Sequence, residues 1–405
     1  MLCETDNSFS SKIEGSDFVK HILFLLPDLR FGGLEMSLIN LINSINSIDQ
    51  LKITILMYGT QYDLISKLKK NDSIDIKIIK MNNTFKTVVN SVGRGFGKHG
   101  TFIRDFYINK FRAAMFIKKN SNRYDYVINY HAACGSNIVK VANIKNTDKL
   151  IMWYHGSSYN KAVFNDTNVY LHKNIVVVSE GCLENIVSQN KRLKDKITVI
   201  NNIIPYKEII AKSNCVQNVF GKEFAIVTCG RIHREKGIDT VIEACKVLKN
   251  KITSFKWYII GNATEDTEEY EQSIKEMINN YNLENELILL GGKLNPYPYF
   301  AQCDLYVQPS REESFGITIA EAQICGAAVV STETVGARHL IKDGETGIIT
   351  DNNPTALADA IFELYGNAEK RKYLSENAKK IDFEDSNKKI ISKFYNLIGV
   401  TTDNE

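Results

Sequence analysis

Short apolar runs of strand length alternate with segments of helical periodicity along most of the 405-residue chain. This rhythm constrains the fold more than any single motif. The run "HILFLL" (21–26) reads as a buried parallel strand, and "LKITILMYG" (51–59) as a second. Between them, "LEMSLINLINSI" places Leu34, Leu38, Leu41, Ile42 and Ile45 at helical spacing, completing a β-α-β unit. Further strand-like runs follow at 74–79, 124–130, 149–154, 174–179 and 196–201, several of them separated by helix-like stretches. The rhythm breaks over about 203–222, which contains Pro205, and then restarts. Runs at 223–230, 255–261, 286–292, 303–309 and 327–332 alternate with helical patterns at 236–249, 266–281 and from about 316. Helical patterns at 354–365, 368–380 and 385–397 close the chain.

Strands alternating with helices predict parallel, doubly wound sheets. The length and the interruption predict two such α/β domains, 18–204 and 205–384, after a loose polar tail at 1–17. The apolar run Ile22–Leu26 ends at Pro27. It is too short for a signal-peptide core or a membrane span, so a cytoplasmic protein without a transmembrane anchor is expected. The eight cysteines form no CxxC pair and no metal-ligand spacing, which fits inert thiols of a reducing compartment. A net charge of +3 gives no argument for a nucleic-acid partner.

In open α/β sheets, ligands bind beyond the carboxyl ends of the strands. After the first strand, "DLRFGGLEMSL" (28–38) puts Gly32 and Gly33 before a helix N-terminus, where backbone N–H groups can approach an anion. A plain tight turn explains this pair equally well. After the first strand of the second half, "CGRIHREKG" (229–237) offers Arg231 at the strand end and Lys236 at the start of the next helix. Two cations flanking a strand–helix turn suit a diphosphate, and a solvated basic loop is the plainer alternative.

"REESFGITIAEA" (311–322) carries Glu313 and Glu321. Were 313–321 wholly helical, their alpha carbons would stand about 12 Å apart along the axis, on faces about 80° apart. Hydrolytic carboxylate pairs face one another at roughly 5–9.5 Å, so this spacing disfavours a hydrolytic dyad and leaves it open. Gly316 more naturally opens a helix, with Glu313 in the loop before it and Glu321 on it. Backbone N–H groups near Phe315–Thr318 then point at an anion. Each acid can accept hydrogen bonds from hydroxyls at a different end of an extended ligand, such as a nucleotide-sugar. The sequence has no Asp-x-Asp and no His/Cys cluster, so no metal and no cofactor is expected.

These residues resemble the retaining GT-B glycosyltransferases of family 4. The likeness is strongest over 223–350, through "GRIHREKGIDTVIEA", "YIIG", "LILLGG", "CDLYVQPSREESFGITIAEAQICGAAVVST" and "GARHLIKDGETGII". The first half is similar through "GGLEMSLINLI", "WYHGS", "VVVSEG" and "VINNI". The resemblance implies a GT-B fold: two Rossmann-like, doubly wound domains facing a central cleft. The first would serve the acceptor and the second the nucleotide-sugar, with the final segment 385–405 crossing back to the first. It implies that Arg231 and Lys236 hold the donor diphosphate, Glu321 the ribose and Glu313 the transferred sugar. Ser314, Phe315, Gly316 and Ile317 would line the donor near sugar and phosphates, with Gly32 and Gly33 reaching it from the opposite domain. His155 would face the sugar, and the "GGKL" loop with Gly291, Lys293 and Leu294 would lie against the base. The implied reaction is retaining, metal-independent transfer from a nucleotide-sugar, with UDP the expected nucleotide. The acceptor would be a glycan or lipid-linked saccharide in bacterial surface polysaccharide or glycoconjugate assembly. A GT-B hydrolase or epimerase, or an inactive binding partner, remains the alternative.

Residues 84–123 hold nine Lys or Arg and the single acid Asp105, interleaved with seven aromatics. Such a face could rest on an anionic membrane, at the inner face of the cell membrane. A solvated helix with its aromatics in the core is the plainer reading. No nucleic-acid module accompanies the charge.

Overall fold

The computed structural model describes residues 19–30, 32–45, 50–59, 61–69, 72–79, 98–216, 218–264 and 267–400. The expected tail at 1–17, and residues 84–97 of the basic segment, lie outside them.

Two all-parallel sheets form. In the first, β1 (Lys20–Leu26), β2 (Leu51–Met57), β3 (Ile74–Ile78), β4 (Tyr126–Asn129), β5 (Leu150–Tyr154), β6 (Asn174–Val177) and β7 (Ile197–Val199) lie in the order β3-β2-β1-β4-β5-β6-β7. In the second, β8 (Phe224–Cys229), β9 (Phe255–Ile260), β10 (Leu287–Gly291), β11 (Leu305–Gln308), β12 (Val329–Thr332) and β13 (Ile348–Thr350) lie in the order β10-β9-β8-β11-β12-β13. Both are doubly wound and Rossmann-like, as the alternation predicts. The central strands are buried on both faces, which is why Ile22–Leu26 can be apolar at every position. In each sheet the winding direction reverses once, between β1 and β4 and between β8 and β11. Crevices open beyond the strand ends at such reversals.

The break at 203–222 is in part a helix, Tyr206–Ser213, with Pro205 at its N-cap. Proline is tolerated there because the first helical N–H groups have no intrahelical partner anyway. The helix is anchored by the fully buried Ile209. Lys236 also departs from expectation. It closes a 3-10 turn, Arg234–Lys236, and the α-helix begins only at Ile238. Gly237 separates the two at φ +66°, where an added Cβ would lie 2.1 Å from the Pro309 carbonyl oxygen. Only glycine fits that approach.

The last helix, Phe383–Leu397, packs on the first domain although it follows the whole of the second. Phe394 is fully buried, with its ring 6.4 Å from Phe24 and 6.2 Å from Trp153. Asn387 fixes the crossing by accepting from Ile204 N (3.1 Å) and donating to Ile204 O (2.7 Å).

The helix Lys98–Asn120 spans much of the basic segment. Ala113, Ala114 and Ile117 are buried in the first domain. The plainer reading, with the aromatics in the core, fails at Tyr107 and Phe111, which are exposed together with Met115. Among the described residues, no helix is long and apolar enough to cross a membrane.

Candidate active site

The two winding reversals face each other, and the cleft between them collects most of the residues singled out above. One chamber, about 360 Å³, is lined from the first domain by Gly33, His155, Ser157 and Asn202. From the second domain come Arg231, Lys236, Glu313 and the run Ser314–Thr318. A neighbouring chamber of about 470 Å³ shares Gly33 and Arg231 and extends to Arg30, Gly32, Asn262, Lys293 and Leu294. Gly291 ends β10 at φ +67° and lines neither chamber. Its neighbour Gly292 does, held by its N–H to Asn262 Oδ1 at 2.6 Å.

Glu313 sits in the loop after β11. Its carboxylate Oε2 lies 2.6 Å from Lys236 Nζ, with both side chains mostly shielded, and 3.4 Å from Ser310 Oγ. Gly336 N–H donates to the Glu313 carbonyl at 2.8 Å. Arg311 secures the start of the loop by a bidentate pair with Asp239, 2.8 Å at each arm. Arg231 is exposed and forms no ion pair among the described residues, so its charge is directed at the cleft. Gly316, at φ +86°, turns the loop into the helix Ile317–Cys325, whose first residues Ile317 and Thr318 line the chamber.

His155 follows β5, with its ring 4.7 Å from that of Tyr130. Its Nε2 is buried without a hydrogen-bond partner among the described residues. Burial, with His131 nearby, pushes its pKa down to about 3, so the imidazole is neutral at physiological pH. A neutral imidazole keeps one nitrogen as donor and the other as acceptor, which suits a sugar hydroxyl.

Glu321 lies apart from the other candidates. It occupies the helix Ile317–Cys325 but lines neither chamber. Its Oε1 accepts from Tyr297 OH at 3.1 Å. Burial raises its pKa to about 7, against the opposing pulls of that hydrogen bond and of Lys67.

Several cleft residues escaped the sequence reading. Asn202 follows β7 and Asn262 follows β9, so the strand-end rule itself points to them. Glu312 and Ser157 meet across the cleft at 3.1 Å. Glu35, which lines neither chamber, is buried in the first turn of the helix Gly33–Ile45, and desolvation raises its pKa. Among the described residues, no group of three or more His, Cys, Asp or Glu could hold a metal ion.

Residues 211–381 match the family described as "Glycosyl transferases group 1". The chain is 27% identical over 216 residues to the Staphylococcus aureus capsular polysaccharide biosynthesis glycosyltransferase CapM, covering 51% of this chain and 56% of that one. It is 28% identical over 203 residues to a Campylobacter jejuni enzyme, N-acetylgalactosamine-N,N'-diacetylbacillosaminyl-diphospho-undecaprenol 4-alpha-N-acetylgalactosaminyltransferase. That match covers 50% of this chain and 53% of the relative. The chain thus spans about half the length of the curated relatives it matches. The crystal structure of Anabaena HepE, in complex with UDP and glucose, superposes with a TM-score of 0.71. It shares 19% identity, over 92% of this chain and 98% of that one, so the likeness is one of fold.

Proposed function

We propose that the chain, whose residues 211–381 match the glycosyl transferases group 1 family and whose two sheets form a GT-B fold, is a retaining glycosyltransferase using a UDP-sugar. One observation carries the reading: Arg231, Lys236 and Glu313 line a single chamber at the meeting of the two winding reversals. A guanidinium without an ion-pair partner among the described residues suits a diphosphate, and a carboxylate shared with Lys236 suits the attached sugar's hydroxyls.

In this reading the bond from the anomeric carbon to the diphosphate breaks and the acceptor oxygen attacks on the same face. The leaving diphosphate takes the acceptor's proton. Arg231, Lys236 and the N–H groups of Ser314–Thr318 stabilise the charge that develops on it. No metal is required. Glu313 and the neutral His155 hold the sugar. Glu321 takes the ribose hydroxyls once Tyr297 yields, and Lys293 and Leu294 lie against the base.

The acceptor is a glycan or lipid-linked saccharide. In support, CapM is named for capsular polysaccharide biosynthesis and the Campylobacter relative for a diphospho-undecaprenol saccharide. The HepE structure, which shares the fold, holds UDP and glucose. The exposed Tyr107, Phe111 and Met115, spaced four apart on one face of a basic helix, support a peripheral contact with anionic membrane.

The test is incubation with a panel of UDP-, GDP- and ADP-sugars, with and without bacterial lipid extract. Acceptor-dependent release of UDP supports transfer. Acceptor-independent turnover would favour a hydrolase or epimerase, and no binding of any nucleotide-sugar overturns both.

A further inference from the structure

Ser179 follows β6 and opens the helix Glu180–Gln189 of the first domain. It is fully buried and its hydroxyl performs two tasks. As the helix N-cap it accepts from Cys182 N–H at 3.4 Å. It also donates, at 2.7 Å, to the main-chain carbonyl of Ser314 in the second domain. The Cys182 thiol points to the same carbonyl at 3.5 Å. Two first-domain donors therefore converge on one second-domain acceptor, and that acceptor is the residue between Glu313 and Phe315. The preceding carbonyl, that of Glu313, is held from within the second domain by Gly336 N–H. Beside it the domains meet closely: a Cβ on Gly181 would lie 2.7 Å from Val335 Cγ1.

We infer that Ser179 is a positioning residue that couples the approach of the two domains to the placement of Glu313. With the domains together, consecutive carbonyls at 313 and 314 are gripped from opposite sides, and the carboxylate between Ser310 and Lys236 is fixed. When they part, the Ser314 carbonyl loses both donors, and the loop is held by the second domain alone. Glu313 is thus placed for sugar only in the closed arrangement. The consequence for transfer rests on the function proposed above; the contact itself does not.

Three variants separate this role from helix capping. Ser179→Thr keeps the hydroxyl. Ser179→Gly removes it at little cost to the cap, whereas Ser179→Ala removes both hydroxyl and cap. The first readout is hydrogen–deuterium exchange of the ligand-free protein over 311–318. Exchange rises about tenfold in the Gly and Ala variants and stays at the wild-type rate in the Thr variant. Wild-type exchange in the Gly variant overturns the inference, and this arm requires no substrate. The second readout is turnover with whichever donor the wild type uses. The Gly and Ala variants lose about tenfold in kcat, UDP affinity changes less than about twofold, and Thr restores kcat. A Gly variant with wild-type kcat overturns the positioning role even if transfer itself is established.

Discussion

Lys236 Nζ and Glu313 Oε2 stand 2.6 Å apart, one from the turn after β8 and the other from the loop after β11. Each neutralises the other at the point where a sugar diphosphate would enter. A charge removed from this pair leaves its partner stranded in a shielded site. Lys236→Ala and Glu313→Ala should each lower kcat/KM by about 10²-fold or more. The double variant should fall short of the product of the two by about 1–2 kcal/mol. A double-mutant cycle on kcat/KM checks this, and strict additivity would show that the two side chains act independently of each other.

Glu321 makes a pH-dependent prediction. Its pKa rises from the ordinary 4.5 to about 7 through burial. The folded state therefore binds a proton that the unfolded state has already released between those values. Stability from this group is fully present below about pH 4.5 and is lost as pH rises through about 7. Glu321→Gln should gain on the order of 2 kcal/mol relative to wild type at pH 8, and nothing at pH 4.5. Denaturant melts at the two pH values measure it. The proposed ribose contact adds that UDP affinity strengthens with pH through the same range in wild type and stays flat in the variant.

His155 remains neutral across the working range because its pKa is pushed down to about 3. A pH–rate profile should thus carry no limb near 6.5 from this residue, which separates it from a titrating general base. His155→Ala should lower kcat by about 10²-fold while UDP affinity shifts less than about twofold. Isothermal titration with UDP beside steady-state kinetics separates the two effects. Loss of UDP affinity in step with kcat would reassign His155 to the nucleotide.

The exposed stripe Tyr107, Phe111 and Met115 should act as one unit at a lipid surface. Replacing all three by Ser should reduce flotation with vesicles of 30% phosphatidylglycerol by about tenfold. UDP-sugar turnover on a water-soluble acceptor should persist. Equal flotation of wild type and variant, or no preference for anionic vesicles, would remove the membrane proposal.

What could be read in the sequence divides along a physical line. Periodicity and strand-end position are local, so every strand except the three-residue β13, along with Arg231, Lys236 and the Glu313 loop, emerges from short windows of residues. Gly237 and Gly316 mark their turns because left-handed backbone angles favour glycine. Contacts between distant segments left no local trace. Ser179 meets Ser314 across 135 residues, and Ser157 meets Glu312 across 155. Glu321 shows the same limit. Its place in the motif is visible, but its engagement by Tyr297 depends on how the helix Tyr297–Gln302 packs. Nor could hydropathy tell which aromatics of the basic helix would turn outward, because aromatic side chains suit core and interface alike.

The returning helix has a consequence for how the chain is made. Phe394 and Tyr395 complete a core whose other walls, Phe24 and Trp153 among them, leave the ribosome hundreds of residues earlier. At about 5–20 residues per second, the first domain waits tens of seconds with that apolar slot open. The second domain must be synthesised in full before the slot can close. A nascent chain stalled short of Phe383 would therefore offer a hydrophobic groove to chaperones, although every strand of both sheets had already been made.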